Sequence, residues 1–149
     1  MEIIKLIYSK NENDIGFTDG NYDIDHKHEI LDEINDNIIN KDRNLNIYTW
    51  GIKKYDYNKC DIVFDATLFN TKIDVDVKKL TGLDEIIQTS VINHPMFDII
   101  IEKILTNIEE KNPKNIGFIC NYGKHRSVAF AEILKKMYYS KSNINHLCL

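Results

Sequence analysis

The stretch Ile116-Gly117-Phe118-Ile119-Cys120-Asn121-Tyr122-Gly123-Lys124-His125-Arg126-Ser127-Val128 decides the fold, because an apolar run ends in a polar, glycine-containing loop that leads into a second apolar segment. Ile116 to Cys120 reads as a short buried strand. Ser127 onward reads as a helix with Phe130, Ile133, Leu134 and Met137 on one side. A strand, loop and helix in that order, here over residues 116–138, builds an anion site. The N–H groups at a helix start have no intrahelical partner and lie at the positive end of the dipole. Gly123 lets the backbone approach a ligand closely, Arg126 can fork two oxygens and Lys124 adds a point charge. The only other arginine is Arg43, so a guanidinium placed just behind a glycine loop carries weight.

Upstream, the pattern continues as alternating strands and helices. Residues 2–8 form a β-branched run that fits a strand, and residues 9–25, with Gly16 and Gly20, read as a loop or irregular hairpin. From His26 to Asn40, Ile30, Leu31, Ile34 and Ile38 recur at helical spacing. Asn46 to Trp50 and Asp61 to Phe64 are the next strands, and residues 66–80 fit an extended loop or an edge strand equally. Thr81 can cap a helix starting near Leu83, with Asp84 and Glu85 in its first turn. Another helix begins near Pro95, shows Ile99, Ile100, Ile104 and Ile108 on one face and ends before Asn112-Pro113. The expected fold is a single α/β domain with a central mixed or mostly parallel sheet flanked by helices.

Composition bounds the rest. The 149 residues, 43% of them hydrophobic, suffice for one domain and not for two. No apolar run approaches the ~20 residues that cross a bilayer, and the first residues lack a secretory leader's pattern, so a cytoplasmic protein with no membrane partner is expected. The formal net charge is -4. Residues 1–44 hold five basic and eleven acidic side chains, whereas residues 45–149 hold fourteen and twelve. Cys60, Cys120 and Cys148 are odd in number and widely spaced, which argues against a disulfide framework and a zinc finger. The cluster Asp23-Ile24-Asp25-His26-Lys27-His28-Glu29 reads better as an acidic helix start than as a metal site, since His26 and His28 would point to different helix faces. His94 and His146 read as a cap neighbour and a polar residue of the tail. No metal or cofactor is expected.

Cys120 gives the loop a second meaning. The pattern C-x-x-G-x-x-R-S resembles the phosphate-binding loop of cysteine-dependent protein phosphatases, in which a thiolate attacks phosphorus while the arginine holds the other oxygens. Loop N–H groups and Arg126 would acidify such a thiol. Ile119 stands where those phosphatases carry histidine, and nothing in the sequence singles out the general acid, for which Asp65 and Asp98 are candidates. The other reading of Cys120 is a buried thiol that ends a core strand, and of Arg126 a surface ion pair.

Several segments in series resemble the C-terminal domain of the RNase adapter protein RapZ: Trp50-Gly51-Ile52-Lys53, Asp61 to Ala66, Thr81-Gly82-Leu83-Asp84 and Cys120 to Val128. The likeness implies an α/β domain over residues 45–140; residues 1–44, which do not share it, read as an acidic strand and helix extension of the same domain, and residues 141–149 as a C-terminal tail. It also implies a binding module for a phosphorylated amino sugar that assembles into homo-oligomers and acts as an RNA-binding adapter. A phosphate or sulfate ion would take the same place. The implied ligand set is Asn70, Lys72, Cys120, Asn121, Tyr122, Gly123, Lys124, His125, Arg126 and Ser127. Of these, Gly123, His125, Arg126 and Ser127 match by identity, and Lys72 only by charge. Asn121 and Tyr122 replace a threonine and a glycine of the family, so a phenol either narrows the pocket or stacks over a ligand. The full-length family carries a P-loop kinase-like domain, but GxxxxGK[ST] does not occur here, and nucleotide binding of that kind is not expected. Lys53, Lys54, Lys78 and Lys79 are the candidate RNA contacts, against which stands the ordinary reading of solvated lysines. With net charge -4, RNA binding should be weak and salt-dependent.

Overall fold

The computed structural model describes residues 1–7, 39–71, 73 and 76–149. In chain order it contains β1 (Glu2–Lys5), β2 (Asn46–Gly51), β3 (Ile62–Asp65), a 3-10 turn (Val77–Lys79), α1 (Glu85–Ile92), α2 (Phe97–Lys111), β4 (Asn115–Cys120), α3 (Arg126–Met137) and β5 (Asn143–His146). The expected helix around residues 26–40 and the His26/His28 cluster fall on residues 8–38 almost entirely, outside those described. No helix of the described residues is long and apolar enough to cross a membrane.

The five strands are all parallel, in the order β1-β3-β4-β2-β5. Strands buried on both faces read as continuous apolar runs, which is why Ile116 to Cys120 was so legible. One sheet face carries Ile47, Ile62, Phe64, Ile116 and Phe118 under the helices, where they meet Ile100, Ile104, Phe130 and Leu134. Phe118 stacks with both Phe64 and Phe130, with ring centroids 5.3 and 5.9 Å apart. The opposite face holds a smaller cluster of Trp50, Cys60, Val63 and Ile119, with Tyr48 and Tyr57 packed against it. Gly117 makes this second layer fit, because a Cβ there would come within 2.5 Å of the Trp50 ring.

Several local expectations shift. Asp84, not Thr81, is the N-cap of α1, and its carboxylate accepts from Thr81 N at 2.7 Å while Thr81 Oγ1 accepts from Leu83 N at 3.1 Å. These bonds form a turn ahead of the helix and delay its start to Glu85. Residues 66–80 form neither an edge strand nor one extended loop, since Val77–Lys79 close a 3-10 turn on the Asp76 side chain. α2 begins at Phe97 and ends at Lys111, where Asn112 takes a left-handed conformation with φ 50°. Ile99 is half-buried, and Ile101 and Leu105 join the buried face instead. Met137 is exposed because Tyr138 and Tyr139 occupy the buried places at the end of α3. Within the expected tail, residues 143–146 add a fifth strand parallel to β2. Only Ile144 of that short edge strand is aliphatic, so its sequence signal was weak.

Candidate functional site

The loop that follows β4 is held from both flanking strands. Ile52 N and Lys53 N donate to the carbonyls of Cys120 and Asn121 at 3.0 and 3.1 Å, and Ala66 N donates to Ile119 O at 2.8 Å. Gly51 pairs with Cys120 across the sheet. Gly123 has φ +73°, and a Cβ on it would meet Gly51 N at 2.4 Å and Cys148 Cβ at 2.9 Å. The turn therefore needs glycine for its dihedral and for its contact. A third glycine clamps the helix start: Gly82 N donates to Lys124 O at 2.7 Å, and a Cβ on Gly82 would come within 2.4 Å of both Ala129 N and His125 O. Gln88 Nε2 fixes Gly82 O at 2.8 Å and Lys136 holds Gln88 in turn at 2.9 Å. The Thr-Gly-Leu-Asp segment thus braces the start of α3.

Cys120 is buried, and its thiol donates to Ser127 Oγ at 3.2 Å. Burial opposes its thiolate, but Ser127 through its hydroxyl and its N–H, the N–H of Gly123 and the Arg126 charge together hold the pKa below the ordinary thiol value. Cys60, buried on the other face, shows the opposite balance: desolvation and the Asp61 charge push it up to about 12. Cys60, Cys120 and Cys148 are all free thiols.

His125 is the N-cap of α3 without a side-chain cap bond, and its Nε2 donates to Val77 O at 2.9 Å. Arg126 Nη1 donates to the carbonyls of Thr67, Phe69 and Ala66 at 2.7, 3.2 and 3.3 Å. Among the described residues these bonds all leave from Nη1, so Nε and Nη2 keep their donors. No carboxylate pairs with this guanidinium among the described residues.

Asn70, Thr71, His125 and Arg126 line one cavity of about 270 Å³, whose other wall is Ile73, Val77, Ile87 and Val91. The structure therefore brings Asn70 to the loop, while Lys72 lies outside the described residues. Tyr122 does not fill the cavity. It is exposed, with Lys53 Nζ 5.3 Å from its ring centroid. Lys54, Lys78, Lys79 and Lys124 are exposed on segments that frame the loop.

The two candidate acids make contacts elsewhere. Asp65 ends β3 on the face of Val63, opposite Phe64 and Cys120, and its carboxylate accepts from Thr67 N at 2.9 Å. Asp98 is buried on α2, where its charge adds to desolvation in raising Tyr138, the residue after α3, to about 12.

A larger hollow of about 430 Å³ lies between α3 and β5 and contains none of the expected site residues. His146 there is half-buried, with Nδ1 2.7 Å from Thr49 Oγ1 and Nε2 3.0 Å from Glu132. It pins the edge strand and is no loose tail residue. Nothing in the spacing of residues 49, 132 and 146 announces this chain of bonds.

Comparison with known proteins matches residues 43–148 to the RapZ C-terminal domain. A relative from Ruminiclostridium cellulolyticum named "Nucleotide-binding protein" is 30% identical over 100 residues, covering 59% of this chain and 34% of its own length. The chain thus spans about a third of that relative. Because the match takes in β2 to β5, all three helices and the whole Cys120 to Ser127 loop, the chain belongs to the RapZ C-terminal domain family.

Proposed function

We propose that this chain is a binding module for a phosphorylated small molecule, whose phosphate sits in the Cys120 to Ser127 loop and whose organic part extends towards Asn70 and His125. One observation carries the reading. The N–H groups of Gly123 and Ser127, the Ser127 hydroxyl and the Arg126 charge converge on Cys120 Sγ and hold its pKa below the ordinary thiol value despite burial. An anion with three or four oxygens uses the same donors better than one sulfur does. The family points to amino-sugar phosphates, to RNA and adapter roles and to homo-oligomers, and the relative's printed name adds nucleotides to the phosphate-bearing ligands worth testing. Asn121, Tyr122 and Lys124 belong to the rim of this site, and Lys53, Lys54, Lys78 and Lys79 to the basic surface that RNA would use.

Titration calorimetry with inorganic phosphate and an amino-sugar phosphate tests the loop. Arg126→Ala should weaken both, and equal affinities in folded variant and parent would remove the anion site.

The lowered pKa of Cys120 favours a second reading, a cysteine-dependent phosphatase. Against it, Asp65 lies on the opposite face of the sheet from Cys120, and Asp98 is buried on α2 near Tyr138. We expect no phosphate release from an aryl phosphate or an amino-sugar phosphate. Turnover that disappears in Cys120→Ser, with folding and phosphate affinity retained, would put the enzyme reading first.

A further inference from the structure

β5 is one edge of the sheet, beside β2. The N–H groups of Asn143 and Leu147 donate back to Leu45 O and Thr49 O, each at 2.9 Å. Because the backbone groups of a strand alternate between its two sides, those of Ile144 and His146 point outward, and among the described residues they take no partner. The other edge is guarded: Lys103 Nζ donates to the Lys5 carbonyl at 3.1 Å, and Lys111 pairs with Glu2. Lysine and proline are the usual guards of a free edge. Asn143-Ile144-Asn145-His146 holds neither.

This unguarded edge opens on a hollow. The side chains of Ile144 and His146 lie on the helix-covered face of the sheet and, with Glu132, Lys135, Lys136 and Ser140, line the space of about 430 Å³ beside α3. A strand edge with a helix across a groove takes an extended segment as an added strand, in which main-chain bonds supply affinity and alternate side chains supply specificity. Charge decides which segment fits. Glu132 is engaged by His146 at 3.0 Å and Lys136 by the neutral Gln88 at 2.9 Å, while Lys135 has no carboxylate partner among the described residues. Two ammonium groups against one engaged carboxylate make the wall net cationic, so it favours a carboxylate and repels a lysine. We propose that an extended acidic segment of a partner protein adds to β5 as a sixth strand, with alternate carboxylates beside Lys135 and Lys136. The surface holds none of the residues of the anion loop.

Fluorescence anisotropy on the full chain tests it with three labelled, capped hexapeptides: one alternating glutamate and valine, one alternating lysine and valine, and the glutamate peptide N-methylated at every residue. The parent should bind the first and neither of the others. Ile144→Pro removes an outward N–H and no bond to β2, a place where an edge strand tolerates proline, so it should melt as the parent does and lose the peptide. Lys135→Glu should weaken the glutamate peptide about fivefold, the size of one exposed ion pair. Saturating inorganic phosphate at constant ionic strength should leave the peptide bound. Equal binding of the glutamate and lysine peptides, binding of the N-methylated peptide, or no binding at all would overturn the proposal without any variant. An unchanged affinity in Lys135→Glu would do the same. Displacement by phosphate would put the carboxylates in the anion loop and overturn it too. So would a chain that sediments as a dimer, falls to a monomer in Ile144→Pro and takes up no peptide, since a second copy would then cover the edge.

Discussion

The chain has two arginines, one tied to each end of the same sheet, and their surroundings differ in kind. Arg43, ahead of β2, meets the Glu109 carboxylate through Nε at 2.7 Å and Nη2 at 3.3 Å, and Nη1 meets Asn112 Oδ1. Tyr139 donates its hydroxyl to the same carboxylate at 2.8 Å, and Asn40 N adds a bond at 3.0 Å. Charge is met by charge, and the group is closed. Arg126, at the far ends of the strands, meets carbonyl dipoles among the described residues. Its geometry is fixed while its charge is left without a counter-ion among the described residues. One guanidinium is closed by a carboxylate and the other is held by backbone carbonyls, although the residue type is the same.

Breaking the closed group should have the largest effect. Arg43→Ala leaves Glu109 without its cation at a site where both side chains are mostly buried, 15% and 12% exposed, and should cost about 3 kcal/mol of stability. Denaturant melts would read this, and phosphate affinity should stay as in the parent. A loss of affinity comparable to the loss of stability would show that the two ends are coupled. The same group sets an acid limit. Burial alone would raise the Glu109 pKa, but Arg43, Tyr139 and Asn40 N outweigh it and hold the carboxyl below its ordinary value. Its stabilising contribution is therefore complete above the unfolded pKa and lost as pH falls through the folded one. Glu109→Gln should flatten that acid limb in melts recorded below pH 5.

The converse change comes next. Arg126→Ala should cost about 1.5–3 kcal/mol of phosphate binding, the worth of charge-assisted hydrogen bonds, with a smaller change in stability than Arg43→Ala. If stability fell more than affinity, Arg126 would be a second structural arginine and the contrast would fail. A subtler effect concerns the thiols. Alkylation followed against pH should show Cys120 ionising below the ordinary thiol range and Cys60 silent until about pH 12. Ser127→Ala should move the Cys120 midpoint upward, since Ser127 supplies the leading stabilising bond. An unmoved midpoint would mean that the loop donors do not act on the sulfur. The weakest expected signal is RNA. Binding should be detectable only at low salt, and Lys53→Ala with Lys54→Ala should reduce the salt slope by roughly two phosphate contacts. Tight, salt-insensitive binding would show that the basic rim is not the RNA surface.

The fold was legible where burial is two-sided or strongly periodic. Asn46 to Gly51, Ile62 to Asp65 and Asn115 to Cys120 all became strands near the expected bounds, and the isoleucine rhythm after Pro95 became α2. Asn143 to His146 escaped because an edge strand with one half-covered face needs few apolar residues. Thr81 misled because its hydroxyl makes a turn two residues long, which competes with capping the helix.

What the sequence determined by itself is local: a strand, a glycine turn and a helix start with one arginine behind them, the arrangement in which backbone donors gather at a helix start. What only the tertiary structure decided depends on groups far away in the chain. It takes the carbonyls of Ala66, Thr67 and Phe69 to hold Arg126, Gly82 to lock the helix start, and Gly51 to leave room for the Tyr122 backbone against β2. Periodicity records which face of an element is buried, but the partner of a charge 60 residues away follows from strand order and register, which arise only when the parallel sheet closes.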